Sequence, residues 1–170
     1  GSSRGWQALQ VPEFSRQHRT ITYDHRGVGE SEDPGGAFSS ADLADDAVRL
    51  MDVLGIARAH VLGVFMGGMV AQELALRHAK RVERLVLVGT YARPDAKRRM
   101  LLEKWKAMVG HGLPLELVAQ ERMLWTLSDE TLEQTDLIDP MMQGFLRDRF
   151  PMPDDVFLRQ CDACLGHDAL

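Results

Sequence analysis

Cys161 and Cys164 form a Cys-x-x-Cys pair, a spacing that occurs in metal sites and in redox sites. The pair lies in an apolar, helix-like stretch, VFLRQCDACLG. A zinc site would need a second cysteine pair or two histidines at matching spacing, and the sequence contains neither. The pattern therefore favours two thiols on one turn of a partly buried helix over metal binding or redox chemistry.

Charged residues and glycines alternate in the segment YDHRGVGES, Tyr23–Ser31. Gly27 and Gly29 permit a tight path with positive φ, and Asp24 and Arg26 can tie the loop together through charge-assisted hydrogen bonds. These roles are structural. A Gly-x-Gly after a strand also occurs in dinucleotide-binding loops, but the third glycine is missing and no helix follows directly, which disfavours that alternative.

The segment LGVFMGGMVAQELALRH, Leu62–His78, is typical of a buried strand that turns sharply into a helix. Gly63 and Gly67 flank Phe65 at the two positions where strand and helix approach closely. A phenyl ring has no lone pair, so Phe65 cannot attack a carbonyl group. Phe65 can equally be read as a hydrophobic residue that ends a buried strand.

The elements around this turn alternate between strand and helix. A helix capped by Ser39 or Ser40 and closed by Gly55 follows the first strand. The predicted order is a strand over residues 19–24, the capped helix, a strand over 60–64, a helix over 66–78 and a strand over 83–90. This alternation predicts an α/β fold with a parallel sheet and flanking helices.

The second half of the chain predicts helices and no strand. Four helix-like stretches follow Pro94, separated by Gly110, Pro114, Pro140, Pro151 and Pro153. Large apolar residues there, including Met123, Trp125 and Met142, are the buried stripes of helices or the lining of a pocket under a helical lid. We therefore expect a core domain over residues 1–92 and a helical cap, or lid, over residues 93–170.

Two of these segments resemble motifs of the α/β-hydrolase superfamily. YDHRGVGES resembles its Asp-x-Arg-Gly-x-Gly-x-Ser loop, and Gly63-x-Phe65-x-Gly67 resembles its nucleophile elbow, Gly-x-Ser-x-Gly. The resemblance covers essentially the whole chain and implies a partial α/β-hydrolase fold with a helical cap. The loop YDHRGVGESEDP, the elbow helix and the helices after VLVGT are similar to the group of esterases, enol-lactonases and methylesterases.

The resemblance implies attack of a serine hydroxyl on an ester or lactone carbonyl. It gives Phe65 the nucleophile position, Met66 the oxyanion-binding backbone amide, and Gly63, Gly67 and Gly68 structural roles in the elbow. The ring of Phe65 should then project into the space of the substrate acyl group. No metal or organic cofactor is implied.

Several parts of the family's machinery are missing from the sequence. The serine, the acid, the catalytic histidine and the His-Gly of the oxyanion loop are absent, and GSSRGW is similar to the continuation of that loop. His111 and His167 follow the elbow but follow no strand, so we expect both at the surface or in the lid. A strand that the family places between residues 19–24 and 60–64 is also absent, which leaves a gap in the sheet.

Three arrangements can close that gap: direct pairing of the two strands, a second copy of the chain, or a longer protein of which this chain is an ordered part. We expect the third. Unpaired strand edges would also permit self-association.

Composition excludes some functions. The chain has 170 residues, 45% of them hydrophobic, and a net charge of -5 with interspersed signs, so nucleic acid and anionic membranes are poor partners. No apolar run has the ~20 residues of a membrane span, and we expect a cytoplasmic protein. The leading hypothesis is a serine hydrolase of esterase or lactonase type, incomplete and inactive as given. The alternative is a catalytically inactive relative that binds a small apolar ligand or a protein partner.

Overall fold

The computed structural model describes residues 3–8, 10–147 and 151–170. These form two compact units, each made of two segments: Gly1–Gly35 with Trp105–Phe157, and Gly36–Lys104 with Leu158–Leu170. The elements are α1 (Gln10–Phe14), α2 (Ser40–Val53), β1 (Ala59–Val64), α3 (Met66–Arg77), β2 (Val82–Val88), α4 (Ala96–Gly110), α5 (Leu115–Thr126), α6 (Asp129–Leu132), α7 (Thr135–Leu146) and α8 (Asp154–Leu165). No helix in these ranges is long and apolar enough to span a membrane.

The sheet confirms the predicted strand, helix and strand of the elbow region. β1 and β2 pair in parallel, with His60 opposite Arg84 and Val64 opposite Val88, and α3 connects them. β2 ends at Val88, two residues earlier than predicted, because Gly89 has a φ of 57° and leaves the extended conformation.

The predicted strand over residues 19–24 is wrong. In the described part of the chain the sheet has two strands, and residues 19–25 have no regular secondary structure. A strand is defined by its ladder of hydrogen bonds to a neighbour, so an apolar β-rich sequence without a paired neighbour does not form one.

α2 matches its prediction closely. Ser39 is the N-cap, its side chain accepts from the amide of Asp42, and the Asp42 side chain accepts from the amide of Ser39. The helix ends before Gly55, which has a φ of 67°. α2 and α3 bury one apolar cluster, whose members are Phe38, Leu43, Ala44, Val70, Leu74 and Ala163.

β2 is more exposed than a strand of a parallel sheet should be. We expected a buried strand from its continuously apolar run, yet its last four residues are 37–49% exposed: Leu85, Val86, Leu87 and Val88. Exposure on both faces follows because nothing in the described part of this unit covers them. The apolar surface of β2 is therefore open.

The second half of the chain is helical, as predicted, but its boundaries differ. Among the described residues, five helices follow Pro94 instead of four stretches, and Pro140 lies inside α7. Proline has the helical φ, so the helix continues through it, although the carbonyl of Asp136 loses a donor at a cost of about 3 kcal/mol. The break comes earlier, at Glu133 and Gln134, where α6 ends and α7 begins.

Cys161 and Cys164 lie one turn apart in α8, as predicted, and both are buried thiols. Burial, together with the neighbouring Cys161, raises the pKa of the Cys164 thiol from 9.0 to about 12. Cys164 therefore stays protonated at neutral pH and is a poor nucleophile and metal ligand.

Candidate functional site: the turn between β1 and α3

Phe65 stands alone between β1 and α3 and has an unusual backbone conformation. Its φ is 52° and its ψ is -119°, and it is the one non-glycine residue with positive φ in the described part of the chain. Such a conformation costs about 1 to 3 kcal/mol and persists only where neighbouring structure enforces it. The sequence predicted a sharp turn from strand to helix here, and the geometry is that of a sharp elbow.

Hydrogen bonds on both sides enforce this conformation. The Phe65 amide donates to the carbonyl of Val88 at 3.0 Å, which continues the β1–β2 ladder by one residue. The Phe65 carbonyl accepts from the amides of Gly68 at 3.0 Å and Met69 at 3.3 Å, which start the helix. One residue thus serves both the strand and the helix, and no extended or helical φ satisfies both.

Gly63 and Gly68 allow the strand and the helix to approach closely. A Cβ on Gly63 would collide with the Gly67 carbonyl oxygen and lie 2.7 Å from the Cα of Gly68. A Cβ on Gly68 would lie 2.6 Å from the Cβ of Thr90, the second residue after β2. A side chain is therefore excluded at Gly63 by the backbone of α3, and at Gly68 by the short side chain of Thr90.

Gly67 behaves differently from its prediction. Its backbone meets Gly63, but a Cβ built on Gly67 has nothing within 4 Å. The predicted close approach at Gly67 thus involves its backbone, and a side chain there would have room.

The Phe65 ring lies at the carboxyl ends of both strands. The ring is 53% exposed, and a Cβ on Gly89 would be 2.9 Å from its Cε1 atom, so the ring covers the glycine that follows β2. The sequence analysis gave Gly89 no role, although a glycine directly after an apolar run indicates the end of a strand. The side chain at the nucleophile position thus occupies the open side of the elbow.

The amino end of α3 presents backbone amides to this side. No side chain caps the helix, whose first residue is Met66. The Met66 side chain packs against the apolar cluster, so only its backbone amide is available at the elbow. Uncapped amides at a helix N-terminus carry partial positive charge and can stabilise an oxyanion.

The two histidines that follow the elbow in the sequence differ in burial. His111 is exposed, and its Nδ1 lies 2.6 Å from the carbonyl oxygen of Ala107. His167 is 2% exposed, and its Nδ1 lies 2.9 Å from Ser40 Oγ. His167 is therefore not a surface residue, because polar partners on α2 and α3 allow it to be buried.

Two of the three predicted pocket residues line one groove. Met123 and Met142 border a groove of about 660 Å³ formed by α5, α6 and α7, with Leu124 and Ile138 among its apolar neighbours. Trp125 is not part of its lining; it is 45% exposed and donates from Nε1 to the Glu121 carboxylate at 2.7 Å. The groove lies within the unit that contains residues 105–157.

The loop 23–31 is held by Asp24. Its carboxylate accepts from the amides of Ser3 at 2.5 Å and Glu30 at 3.4 Å, and Ser31 donates to its carbonyl. Burial raises the pKa of Asp24, but these hydrogen bonds and the Arg4 charge outweigh it and hold the pKa below 3.8. Gly27 and Gly29 have positive φ, as predicted, so the loop is built for structure.

Comparison with known proteins agrees with this geometry. The family model described as "alpha/beta hydrolase fold" matches residues 1–151. A Caulobacter segnis protein named "Putative carbamate hydrolase RutD" is 41% identical over 97 residues, which are 56% of this chain and 36% of that protein.

Solved structures match over nearly the whole chain. The enol-lactonase from Burkholderia xenovorans has a TM-score of 0.84 and 28% identity, and the match covers 99% of this chain and 62% of that one. A hydrolase from Pseudomonas aeruginosa has a TM-score of 0.84 and 29% identity, with 98% and 61% covered. The chain thus spans less than two thirds of the length of these relatives.

The matched residues include the loop 23–31, β1, the elbow at Phe65, α3 and β2. The chain therefore belongs to the α/β-hydrolase fold family.

Proposed function

We propose that this chain carries the elbow of a carboxylester or lactone hydrolase and, with Phe65 at its centre, does not hydrolyse esters itself. The strained backbone of Phe65 between β1 and α3 carries the proposal. Solved relatives named as an enol-lactonase and a thermophilic esterase support the ester or lactone class.

The chemistry follows from what the elbow offers. A serine at this turn would form a bond from its hydroxyl oxygen to the carbonyl carbon, while the carbonyl oxygen gained negative charge beside the Met66 amide. Phe65 has no oxygen and no ionisable proton, so that bond cannot form. The elbow retains one backbone amide that can stabilise the oxyanion, that of Met66, and lacks the nucleophile.

Ester hydrolysis tests the proposal. We expect the protein to release p-nitrophenol from p-nitrophenyl acetate no faster than a heat-treated sample does. Phe65→Ser should stay near that background, because serine is a weak nucleophile without a base, while the His111 ring lies against the Ala107 carbonyl and the His167 ring is buried against Ser40. Phe65→Ala is the matched control, since it opens the same space without a hydroxyl group.

Two results would contradict the proposal. One is hydrolysis by the unaltered protein that heat treatment abolishes. The other is a turnover by Phe65→Ser of roughly 1 per second or more, the range of ordinary enzymes, while Phe65→Ala remains inactive. The second result would show that a histidine of this chain serves the elbow as a base.

A second candidate function is binding of a small apolar ligand by a catalytically inactive family member. The groove bordered by Met123 and Met142 favours it, because methionines line adaptable apolar sites. A neutral fluorescent probe, N-phenyl-1-naphthylamine, should bind with enhanced emission. Met142→Asp should abolish the enhancement, and Trp125→Asp, a change outside the groove, should leave it intact. Equal loss in both variants, or no enhancement at all, would dismiss this function.

The proposal extends to assembly and location. The open apolar surface of β2, with Val86 and Val88 nearly half exposed, supports self-association through the strand edge. Sedimentation velocity should show a concentration-dependent dimer that Val86→Lys weakens, and a monomer at all concentrations would refute it. The role of residues 93–170 as a lid and the cytoplasmic location remain predictions from the sequence.

A further inference from the structure

Ser40, Glu73 and His167 form a buried polar cluster away from the elbow. Ser40 begins α2, Glu73 lies on α3 and His167 follows α8. The Nδ1 atom of His167 lies 2.9 Å from Ser40 Oγ and 3.4 Å from Glu73 Oε1, and Ser40 Oγ lies 3.5 Å from the same Glu73 oxygen. The side chain of His167 is wholly buried, and Ser40 is 3% exposed.

This serine, histidine and carboxylate do not have the arrangement of a catalytic triad. In a triad, the serine and the acid contact opposite nitrogens of the imidazole ring. Here both contact Nδ1, while Nε2 is buried and has no hydrogen-bond partner in the described part of the chain. Ser40 is also inaccessible to a substrate carbonyl, so the cluster has a different role.

Because Nε2 has no hydrogen-bond partner among the described atoms, the site favours the neutral imidazole ring over the protonated one. In the neutral ring the proton sits on Nδ1, which donates toward Ser40 and Glu73, and Nε2 is a bare acceptor. A second proton would place an N–H donor and a positive charge at a buried position where no described protein atom accepts from Nε2, which is costly.

Burial and the charged groups near the His167 ring shift its pKa in opposite directions. Glu73 on α3 and the adjacent Asp168 favour the protonated ring, and Arg93 neutralises Asp168 through a 2.7 Å ion pair. The backbone amide of His167 donates to the carbonyl of Cys164 on α8. Burial is the larger effect, and it lowers the pKa of His167 below its ordinary value of 6.5.

The ring fixes the short segment that follows α8, residues 167–170. The amide of Ala169 donates to the carbonyl of Ala92 at 2.9 Å, and Asp168 pairs with Arg93. Both partners of that ion pair are about half exposed, so the pair contributes little. The buried ring is therefore the main anchor of the segment.

We propose that His167 is an acid-sensitive latch, which releases residues 167–170 from α2 and α3 when its ring is protonated. In the released state the ring regains its ordinary pKa, and in the docked state the pKa is lower. Docking is thus complete above pH 6.5 and weakens as the pH falls below it. One proton is taken up, so release increases by at most about tenfold per pH unit. This latch does not depend on the function proposed for the elbow.

Hydrogen exchange of the Ala169 amide tests the latch. Its protection factor, relative to the intrinsic exchange rate at each pH, is measured by NMR on the full chain between pH 7.5 and 5.5. We expect protection to fall once the pH drops below 6.5. His167→Asn, which keeps an N–H near the Nδ1 position and does not titrate, should give pH-independent protection.

His78→Asn is the matched control. His78 pairs with Asp45 at 2.7 Å and also joins α2 to α3, but it lies outside the cluster. This variant should retain the pH profile of the unaltered protein. The same profile in His167→Asn would refute the latch.

Titration of the His167 ring provides an independent measurement on the unaltered protein. We expect its NMR signals to titrate at a pH below 6.5, and the protection of Ala169 to fall between pH 6.5 and that lower value. If His167→Asn does not fold, these two measurements on the unaltered protein test the proposal by themselves. A ring that titrates at or above 6.5, or protection that is constant between pH 6.5 and the pH at which the ring titrates, would refute the proposal.

Discussion

The elbow and the cluster around His167 differ in which features of a hydrolase site they have, the backbone geometry or the side chains. The elbow has the backbone geometry of a hydrolase active site, with Phe65 at φ 52° and an uncapped helix behind it, but no nucleophile. The cluster has a serine, a histidine and a carboxylate within 3.5 Å of one another, but no access and no triad geometry. The comparison shows that the backbone conformation of an elbow can occur without a nucleophile, and that a serine, a histidine and a carboxylate can lie together without forming a catalytic triad.

The largest effect should come from changing the contact that shapes the elbow. Gly63→Ala places a methyl group against the backbone of Gly67 and Gly68, neither of which can yield without moving α3. We expect a loss of about 3 kcal/mol in the free energy of unfolding, measured in urea.

Gly67→Ala is the matched control for this change. Its methyl group would enter open space, and alanine favours a helix, so we expect a gain of at most about 1 kcal/mol. Equal losses in the two variants would mean that Gly63 does not set the approach of β1 and α3.

The cluster should respond next. Ser40→Ala removes the hydroxyl partner of His167 Nδ1 inside a buried site, and we expect a loss of about 2 kcal/mol in the free energy of unfolding. Ser128→Ala, which removes the exposed cap of the four-residue helix α6, should cost less than about 1 kcal/mol. Urea unfolding of both variants gives the comparison. A smaller loss for Ser40→Ala than for Ser128→Ala would show that the cluster is not a buried anchor.

A smaller effect should measure the strain at the elbow. Glycine accepts the Phe65 conformation freely and alanine does not, so Phe65→Gly relieves about 1 to 3 kcal/mol of strain. Glycine also adds freedom to the unfolded chain, which offsets up to about 1 kcal/mol. We expect Phe65→Gly to be more stable than Phe65→Ala by about 1 kcal/mol in thermal or urea unfolding. The reverse order, which is normal elsewhere, would show that the turn is unstrained.

The elbow could be predicted from the sequence because its determinants are local. Gly63, Phe65 and Gly67 lie within five residues, and the apolar run before them and the helical pattern after them define the turn. α2 was predictable for the same reason, since Ser39 and Gly55 mark its ends.

The cluster could not be predicted because its residues come together only in the folded chain. Ser40 and His167 are 127 positions apart, and nothing in GHDAL indicates burial. The strand predicted over residues 19–24 was wrong for a related reason. An apolar, β-rich sequence shows that a segment can adopt an extended conformation. Whether it forms a strand depends on a neighbouring strand, which the local sequence does not reveal.

Covalent labelling tests the central claim most directly, because it asks which serine of the chain is a nucleophile. The unaltered protein and Phe65→Ser are incubated with a fluorophosphonate, and adducts are located by intact mass and peptide mapping. The account predicts no adduct on the unaltered protein, Ser40 included, and no labelling of Phe65→Ser above the level of Phe65→Ala. A stoichiometric adduct on Ser40, or rapid labelling of the serine introduced by Phe65→Ser, would contradict it.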